Sequence, residues 1–241
     1  MLDAAEEQRW NEAQLASPVQ VPQMRVWTYR EGAIVLGRSQ HAMADGAGPA
    51  GFDHLPLVKR GAGGGAVLVG PWLLSASLLL PLDDPRMNTG SVADSYRWLG
   101  EAMVTALAGF GVQARTVPPE ERIAAPQDLK WACFAGVAPW EIVVDDPATG
   151  APRKLIGFAQ RRSRNGMLLA LGVLMQPAPW RAMARTLGYP DAQADALEET
   201  VVDLASISTQ PVSNEAFLAA LWPLLQPMQW LPGQMAEPLV G

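Results

Sequence analysis

The segment Lys59-Arg60-Gly61-Ala62-Gly63-Gly64-Gly65-Ala66-Val67 constrains this chain more than any other. Four glycines in five positions add nothing to a hydrophobic core. Each costs backbone entropy on folding, about 0.5–1 kcal/mol relative to alanine in a regular element. Such a run fits a place where the backbone needs φ > 0 or where another group must come close. Residues 55–60 read as a strand entering the run, and residues 66–69 as one leaving it. Two cations stand immediately before the glycines. Bare N–H groups and positive charge therefore meet at one place, a combination that holds a phosphate or carboxylate. A flexible surface turn is the alternative for a glycine run taken alone.

Neither of the common nucleotide loops fits. A Walker loop ends Gly-Lys-Ser/Thr, and here the cations precede the glycines. The dinucleotide fingerprint needs Gly-x-Gly-x-x-Gly opening a helix. Gly61 and Gly63 begin that spacing, but Ala66 holds the last position and Ala66-Val67-Leu68-Val69 reads as strand. A loop inside a sheet, able to fold over an extended ligand, remains.

The surrounding pattern is α+β, a mixed or antiparallel sheet with flanking helices. Residues 3–16 read as a helix with Trp10 and Leu15 on its buried side. Strands are expected at 25–29, 33–37, 74–80, 141–144, 154–159 and 167–176. The polar link 145–152 makes a hairpin of the fourth and fifth of these. Residues 42–53 and 116–130 read as loop. The clearest helix runs from an N-cap at Ser91 to a stop at Gly111, with apolar residues at three- and four-residue steps. Helices at 179–187, 192–204 and 214–225, the last capped by Ser213, complete the chain. We read residues 1–241 as a single domain, with a core of about residues 10–180 and a helical extension over 180–241.

Composition excludes several classes. With 49% hydrophobic residues the chain has ample core, and a net charge of −6 disfavours a nucleic-acid binder. The longest apolar stretch, 66–81, is cut by Gly70, Pro71 and two serines and is no membrane span. The acidic start is unlike a signal peptide. One cysteine allows no internal disulfide, which points to a reducing cytoplasm. Two histidines and that cysteine do not make a metal site.

Two further positions carry chemistry. Lys154 opens an apolar strand in Arg153-Lys154-Leu155-Ile156-Gly157-Phe158-Ala159-Gln160-Arg161-Arg162. It is either a solvated hairpin end or a point charge aimed into a cleft, where it can orient an acyl carbonyl or phosphate. Cys133, in Trp131-Ala132-Cys133-Phe134, is either a small core residue or a nucleophile. The second role needs a cation nearby, and Lys154 or Arg60 could supply it.

Together these segments resemble the lipoate–protein ligase and octanoyltransferase family, whose catalytic domain is shared with biotin ligases. Residues 25–40, ending Gly37-Arg38-Ser39-Gln40, resemble its opening hairpin. Residues 59–67 resemble its Arg-Arg-x-Ser/Thr-Gly-Gly-Gly-Ala-Val loop. Residues 154–161 resemble its Lys-(Ile/Val)-x-Gly-Ser-Ala-Gln-Arg motif. The resemblance implies transfer of a lipoyl or octanoyl group to a lysine of a lipoyl-carrier domain. It implies Lys154 as the catalytic lysine and Cys133 as an acyl-thioester cysteine. Arg60, Gly63, Gly64, Gly65, Ala66, Gly157, Ala159 and Gln160 would bind the acyl group or its adenylate. No cofactor is implied as permanently bound, and no metal. Lipoate or octanoate is the substrate, with ATP in the ligase type. The implied partners are lipoyl domains of 2-oxoacid dehydrogenases or the glycine-cleavage H protein, and acyl carrier protein in the transferase type. Neither nucleic acid nor membrane is implied.

Three departures stand out: Ala62 where the family has Ser/Thr, Val69-Gly70 where it has a polar pair, and Phe158 where it has Ser. They motivate an alternative, a diverged module that binds an acyl chain or a carrier without turnover. The Gly-Arg-Gly-Arg-x-Gly motif of the biotin branch is absent.

Overall fold

The computed structural model describes residues 3–45, 54–87, 90–121, 123–233 and 235. Helix α1 (Asp3–Gln14) leads into strands β1 (Gln23–Trp27) and β2 (Ala33–Leu36). A short helix α2 (His41–Asp45) follows where loop was expected; residues 46–53 of that expected loop lie outside the described residues. Strands β3 (Leu57–Lys59), β4 (Val67–Val69) and β5 (Leu73–Leu80) precede helix α3 (Arg97–Ala108). Then come β6 (Arg115–Thr116), β7 (Ile142–Asp145), β8 (Pro152–Ser163) and β9 (Gly166–Leu174). Helices α4 (Trp180–Thr186), α5 (Asp191–Thr200), α6 (Leu204–Ile207) and α7 (Asn214–Leu221) lead to a last strand, β10 (Gln229–Trp230).

Two sheets result. The large one has the order β10-β1-β5-β9-β8-β7-β6, antiparallel except for β10 beside β1. The small one has the order β3-β2-β4. The glycine loop joins β3 to β4, so it crosses the end of the small sheet from one side of β2 to the other. The hairpin expected from the 145–152 link is β7–β8, with Asp145 opposite Pro152.

The large sheet alternates as a two-faced sheet must. One face carries Val26, Ala76, Leu171 and Phe158 into a core with Leu99, Met103 and Leu107 of α3 and Phe217 and Leu221 of α7. The other face meets a second core that holds the small sheet with Trp180, Met183 and Leu197 of α4 and α5. The C-terminal segment therefore contributes to both cores, and β10 extends the large sheet. Helix α3 starts at Arg97 because Ser91 accepts the Asp94 N–H at 3.1 Å and nucleates a 3-10 turn over Asp94–Tyr96 instead. Ser213 caps α7 as expected, accepting from Ala216 N.

Close backbone approach explains two glycines. A Cβ on Gly37 would overlap the carbonyl oxygen of Gly64, which itself holds φ +94°. A Cβ on Gly65 would lie 2.8 Å from the Trp131 oxygen and 2.9 Å from the Cys133 nitrogen. The glycine loop is thus clamped between β2 and the cysteine-bearing segment. Gly37→Ala should destabilise the fold by more than about 2 kcal/mol, while Gly63→Ala, with open space at its Cβ, should stay within about 0.5 kcal/mol. Denaturant unfolding of the two variants checks the contrast; equal losses would contradict it.

Candidate functional site

The site forms where the glycine loop, the segment carrying Cys133 and strand β8 converge. Ala66 N donates to Trp131 O at 2.8 Å, and Cys133 N donates to Ala66 O at 2.9 Å. Those bonds hold the two loops edge to edge. Gln40 adds a third tie, donating from Nε2 to Trp131 O. The N–H groups of Gly63, Gly64 and Gly65 have no acceptor among the described residues, and all three glycines line a recess of about 490 Å³. Arg60 lies in the same loop, but its Nη2 donates to the carbonyls of Gly63 and Gly65. Its guanidinium braces the loop, a role the sequence reading did not give it.

Lys154 is almost completely buried, and its ammonium has three partners. Nζ lies 2.6 Å from Glu141 Oε2, with both side chains 1% exposed. It also donates to the carbonyls of Cys133 at 3.2 Å and Gly136 at 3.0 Å. An ammonium has three protons, so every donor is engaged. The Phe134 ring lies 5.1 Å away and adds a cation–π contact. Lys154 is therefore neither a solvated hairpin end nor an idle cation in a cleft. It is docked on the backbone of Cys133.

Glu141 was missed by the sequence reading, and the local fold shows why it is there. Its Oε1 accepts Phe158 N at 2.7 Å and its Oε2 accepts Ala138 N at 2.6 Å. Trp140, just before it, has φ 68°, a left-handed conformation that costs a non-glycine residue about 1–3 kcal/mol. That turn swings Glu141 inward. Gly100 of α3 leaves room for the Trp140 carbonyl, and Gly157 leaves room for the Lys154 ammonium, whose Nζ would be 3.3 Å from a Cβ there. The available signal was register. Counting back from Asp145 opposite Pro152 brings Glu141 near Gly157, the strand position without a side chain.

A second, narrow apolar cavity of about 70 Å³ adjoins the recess. Gly157, Gly172 and Ser75 stand side by side across β8, β9 and β5, and Ala159 and Ala170 stand beside them. This block of small side chains hollows the sheet face. Val35, Val67 and Val69 of the small sheet line the cavity, as do Glu7, Asn11 and Glu12 of α1. Val69, where the family motif has a polar residue, is one of these apolar wall residues. Four residues line both cavities: Arg60, Cys133, Phe158 and Ala159. Phe158 does not plug the passage; its ring stacks on Tyr96 with centroids 5.7 Å apart. Gln160 sits at the rim, donating to Val92 O and accepting from Arg162. Among the described residues no group of three or more His, Cys, Asp or Glu side chains could hold a metal.

The family model for the lipoyl protein ligase A/B catalytic domain matches residues 3–223. The chain belongs to that family. It is 34% identical over 215 residues to the octanoyltransferase LipM of Kyrpidia tusciae, which covers 83% of this chain and 73% of that protein. Solved lipoate–protein ligases share the fold. A bipartite archaeal ligase from Thermoplasma acidophilum superposes with a TM-score of 0.64 at 17% identity, over 98% of this chain and 84% of its own. Lipoate-protein ligase A bound with ATP gives 0.62 at 17%, over 98% and 85%. No helix among the described residues is long and apolar enough to cross a membrane.

This member of the family carries a buried carboxyl at the apolar cavity. Burial pushes Glu7 above the usual carboxylate range, although hydrogen bonds from Tyr29 and Ser75 and the charge of Arg60 pull it down. Because its folded value exceeds the unfolded one, its contribution to stability is full below the unfolded value and is lost as pH rises through the folded one. Glu7→Gln cannot ionise. Its stability relative to the parent should therefore improve as pH rises from about 4 to about 8, measured by denaturant unfolding; a difference that stays constant would refute this. For the ion pair, Glu141→Leu should cost about 3–5 kcal/mol by stranding the Lys154 charge. Adding Lys154→Met should recover a large part of that loss in the same assay.

Proposed function

We propose that this chain transfers an octanoyl or lipoyl group to a lysine of a lipoyl domain by way of a thioester on Cys133. One observation carries the reading: Cys133 lines both the apolar cavity and the recess that holds Lys154, with the Lys154 ammonium bonded to the Cys133 carbonyl. An acyl chain would lie over Gly157, Gly172 and Ala170, and its thioester carbon would reach Sγ. The relative named as an octanoyltransferase, at 34% identity, supports the same class.

The chemistry balances without an external energy source. The Cys133 sulfur attacks the carbonyl carbon of an acyl thioester donor, such as acyl-loaded acyl carrier protein; the donor's carbon–sulfur bond breaks, and the proton given up by the Cys133 thiol leaves on the donor's thiol. The lysine amine of the lipoyl domain then attacks the Cys133 thioester. An amide forms, and Cys133 is released as a thiol. Both steps place negative charge on the acyl oxygen. Lys154 would stabilise it, exchanging one of its two carbonyl partners for that oxygen. The route needs a free thiol, which fits a reducing cytoplasm. The proposed acceptors are the lipoyl domains of 2-oxoacid dehydrogenases or the glycine-cleavage H protein. A Thermoplasma acidophilum ligase solved with its E2 lipoyl domain supports this class of partner.

A second reading has its own observation. The unbonded N–H groups of Gly63, Gly64 and Gly65 suit the phosphate of an acyl-adenylate, so lipoate plus ATP is the competing donor. Intact-mass analysis decides between them. We expect an octanoyl adduct on Cys133 after incubation with octanoyl-acyl carrier protein, and acylated lipoyl domain once that domain is added. Lys154→Ala should lower transfer by about 10²-fold or more, with its fold checked by circular dichroism. Acylation that needs ATP and never labels Cys133 would replace the thioester route with the ligase route. Failure with both donors would leave only a binding role.

A further inference from the structure

The apolar cavity is roofed by a helix whose buried stripe is polar. Along α1 the buried residues are Ala4, Glu7 and Asn11, one helix face in steps of three and four. A helix built into a permanent core would turn apolar side chains inward. Here Glu7, Gln8, Asn11 and Glu12 line the cavity instead. The sequence reading had placed Trp10 and Leu15 on the buried side. Trp10 is half-buried, edge-on to Trp27, and Leu15 is buried just beyond the helix.

The space beneath this roof is too small for an eight-carbon acyl chain. One water-sized group needs about 10–15 Å³, so a cavity of 70 Å³ admits about five to seven. An octanoyl group has eight carbons and an oxygen. One wall must therefore move. The wall made by β5, β8 and β9 is paired strand to strand and backed by the core that holds α3 and α7. The small sheet is paired through β2 and packed into the second core.

Helix α1 is held differently. Tyr29 O–H donates to Glu7 Oε2 at 2.7 Å, Ser75 Oγ lies 3.4 Å from Glu7 Oε1, and Gln8 hydrogen-bonds the same carboxyl. Water can replace each of these partners. Asn11 Oδ1 is buried without a partner, so exposure to water adds a bond to it. Burial holds Glu7 above the usual carboxylate range, a cost that exposure relieves. At the helix edge Glu12 pairs with Arg161 of β8, the two being 50% and 29% exposed. A Cβ on Gly61 would overlap both charged groups, so the pair closes against the start of the glycine loop. Exposed ion pairs of this kind are weak and open readily. The C-terminal end of α1 is anchored. Leu15 packs with Leu79 and Leu168, and Asn165 Nδ2 donates to Leu15 O at 2.8 Å.

We propose that α1 is a lid on the acyl cavity. It pivots about its anchored end at Leu15, is latched by Glu12 and Arg161, opens for the chain to enter and closes over it. The proposal rests on reading the apolar cavity as the acyl site. Closure over the chain also excludes water from the Cys133 thioester, because Cys133 lines the same cavity.

Hydrogen–deuterium exchange of the full chain, read by mass spectrometry, tests the lid without any turnover. Peptides covering α1 should exchange about tenfold or more faster than those of β5. Saturating octanoate should slow them by about threefold or more, and acetate, too short to fill the cavity, should not. Glu12→Gln should speed exchange in α1 about threefold and leave β5 unchanged. Exchange in α1 as slow as in β5, no response to octanoate, an equal response to acetate, or no effect of Glu12→Gln would overturn the proposal. Labelling of Cys133 by an octanoyl thioester is followed in parallel and reports separately on the transfer route. Octanoate-dependent closure without labelling defeats only that route. Labelling without octanoate-dependent closure defeats only the lid.

Discussion

Lys154 and Glu141 form an ion pair with essentially no solvent around it, and much of the surrounding backbone is shaped to make that possible. Two charges taken out of water are costly unless each finds further hydrogen bonds. Here both do. The ammonium takes two carbonyls from the cysteine segment, and the carboxylate takes the N–H groups of Phe158 and Ala138. The pair therefore joins three separate pieces of chain: β8, the turn before β7 and the loop around Cys133. The left-handed Trp140 and the bare Gly157 and Gly100 are local costs that this geometry requires. A positive charge is fixed beside Cys133 without a flexible side chain having to find its place.

The cavities follow from a division of labour across the large sheet. One face is filled by ordinary core packing against α3 and α7. The other face has small residues in the middle of β8, β9 and β5, and the space they leave is closed by the small sheet and α1. The glycine loop ties the two halves together. It is clamped by Gly37 on one side and by the Trp131–Cys133 backbone on the other, with Arg60 holding its carbonyls from within. The N–H groups of Gly63, Gly64 and Gly65, at the recess, have no acceptor among the described residues. An apolar cavity, a thiol and a fixed cation then lie next to one another.

The parts of this arrangement that were legible in the sequence are those that follow local rules. The strands around the glycine loop, the β7–β8 hairpin and the cap at Ser213 came from alternation, turn residues and capping. Lys154, Cys133 and the glycines stood out as motifs and do converge on one site. The remainder depends on partners distant in the chain. Glu141 looked like an ordinary charged residue ahead of a strand until the hairpin register and Trp140 turned it inward. Arg60 looked like a free cation because its acceptors are carbonyls, which a sequence does not display. The start of α3 moved from Ser91 to Arg97 because the Ser91 hydroxyl serves a tighter turn. Glu7 and Asn11 broke the rule that buried helix faces are apolar, where the sequence pattern had pointed to Trp10 and Leu15. Such violations concentrate where a chain has a use for them.

The central claim is that Cys133 is a station on the path of the acyl group. The most direct test is a chase. Protein carrying an octanoyl group on Cys133, freed of donor, is mixed with unmodified lipoyl domain in the absence of ATP, and both proteins are weighed over time. The account predicts that the octanoyl mass leaves Cys133 and appears in equal amount as an amide on the lipoyl-domain lysine. An adduct that persists, or hydrolyses without modifying the lipoyl domain, would contradict it.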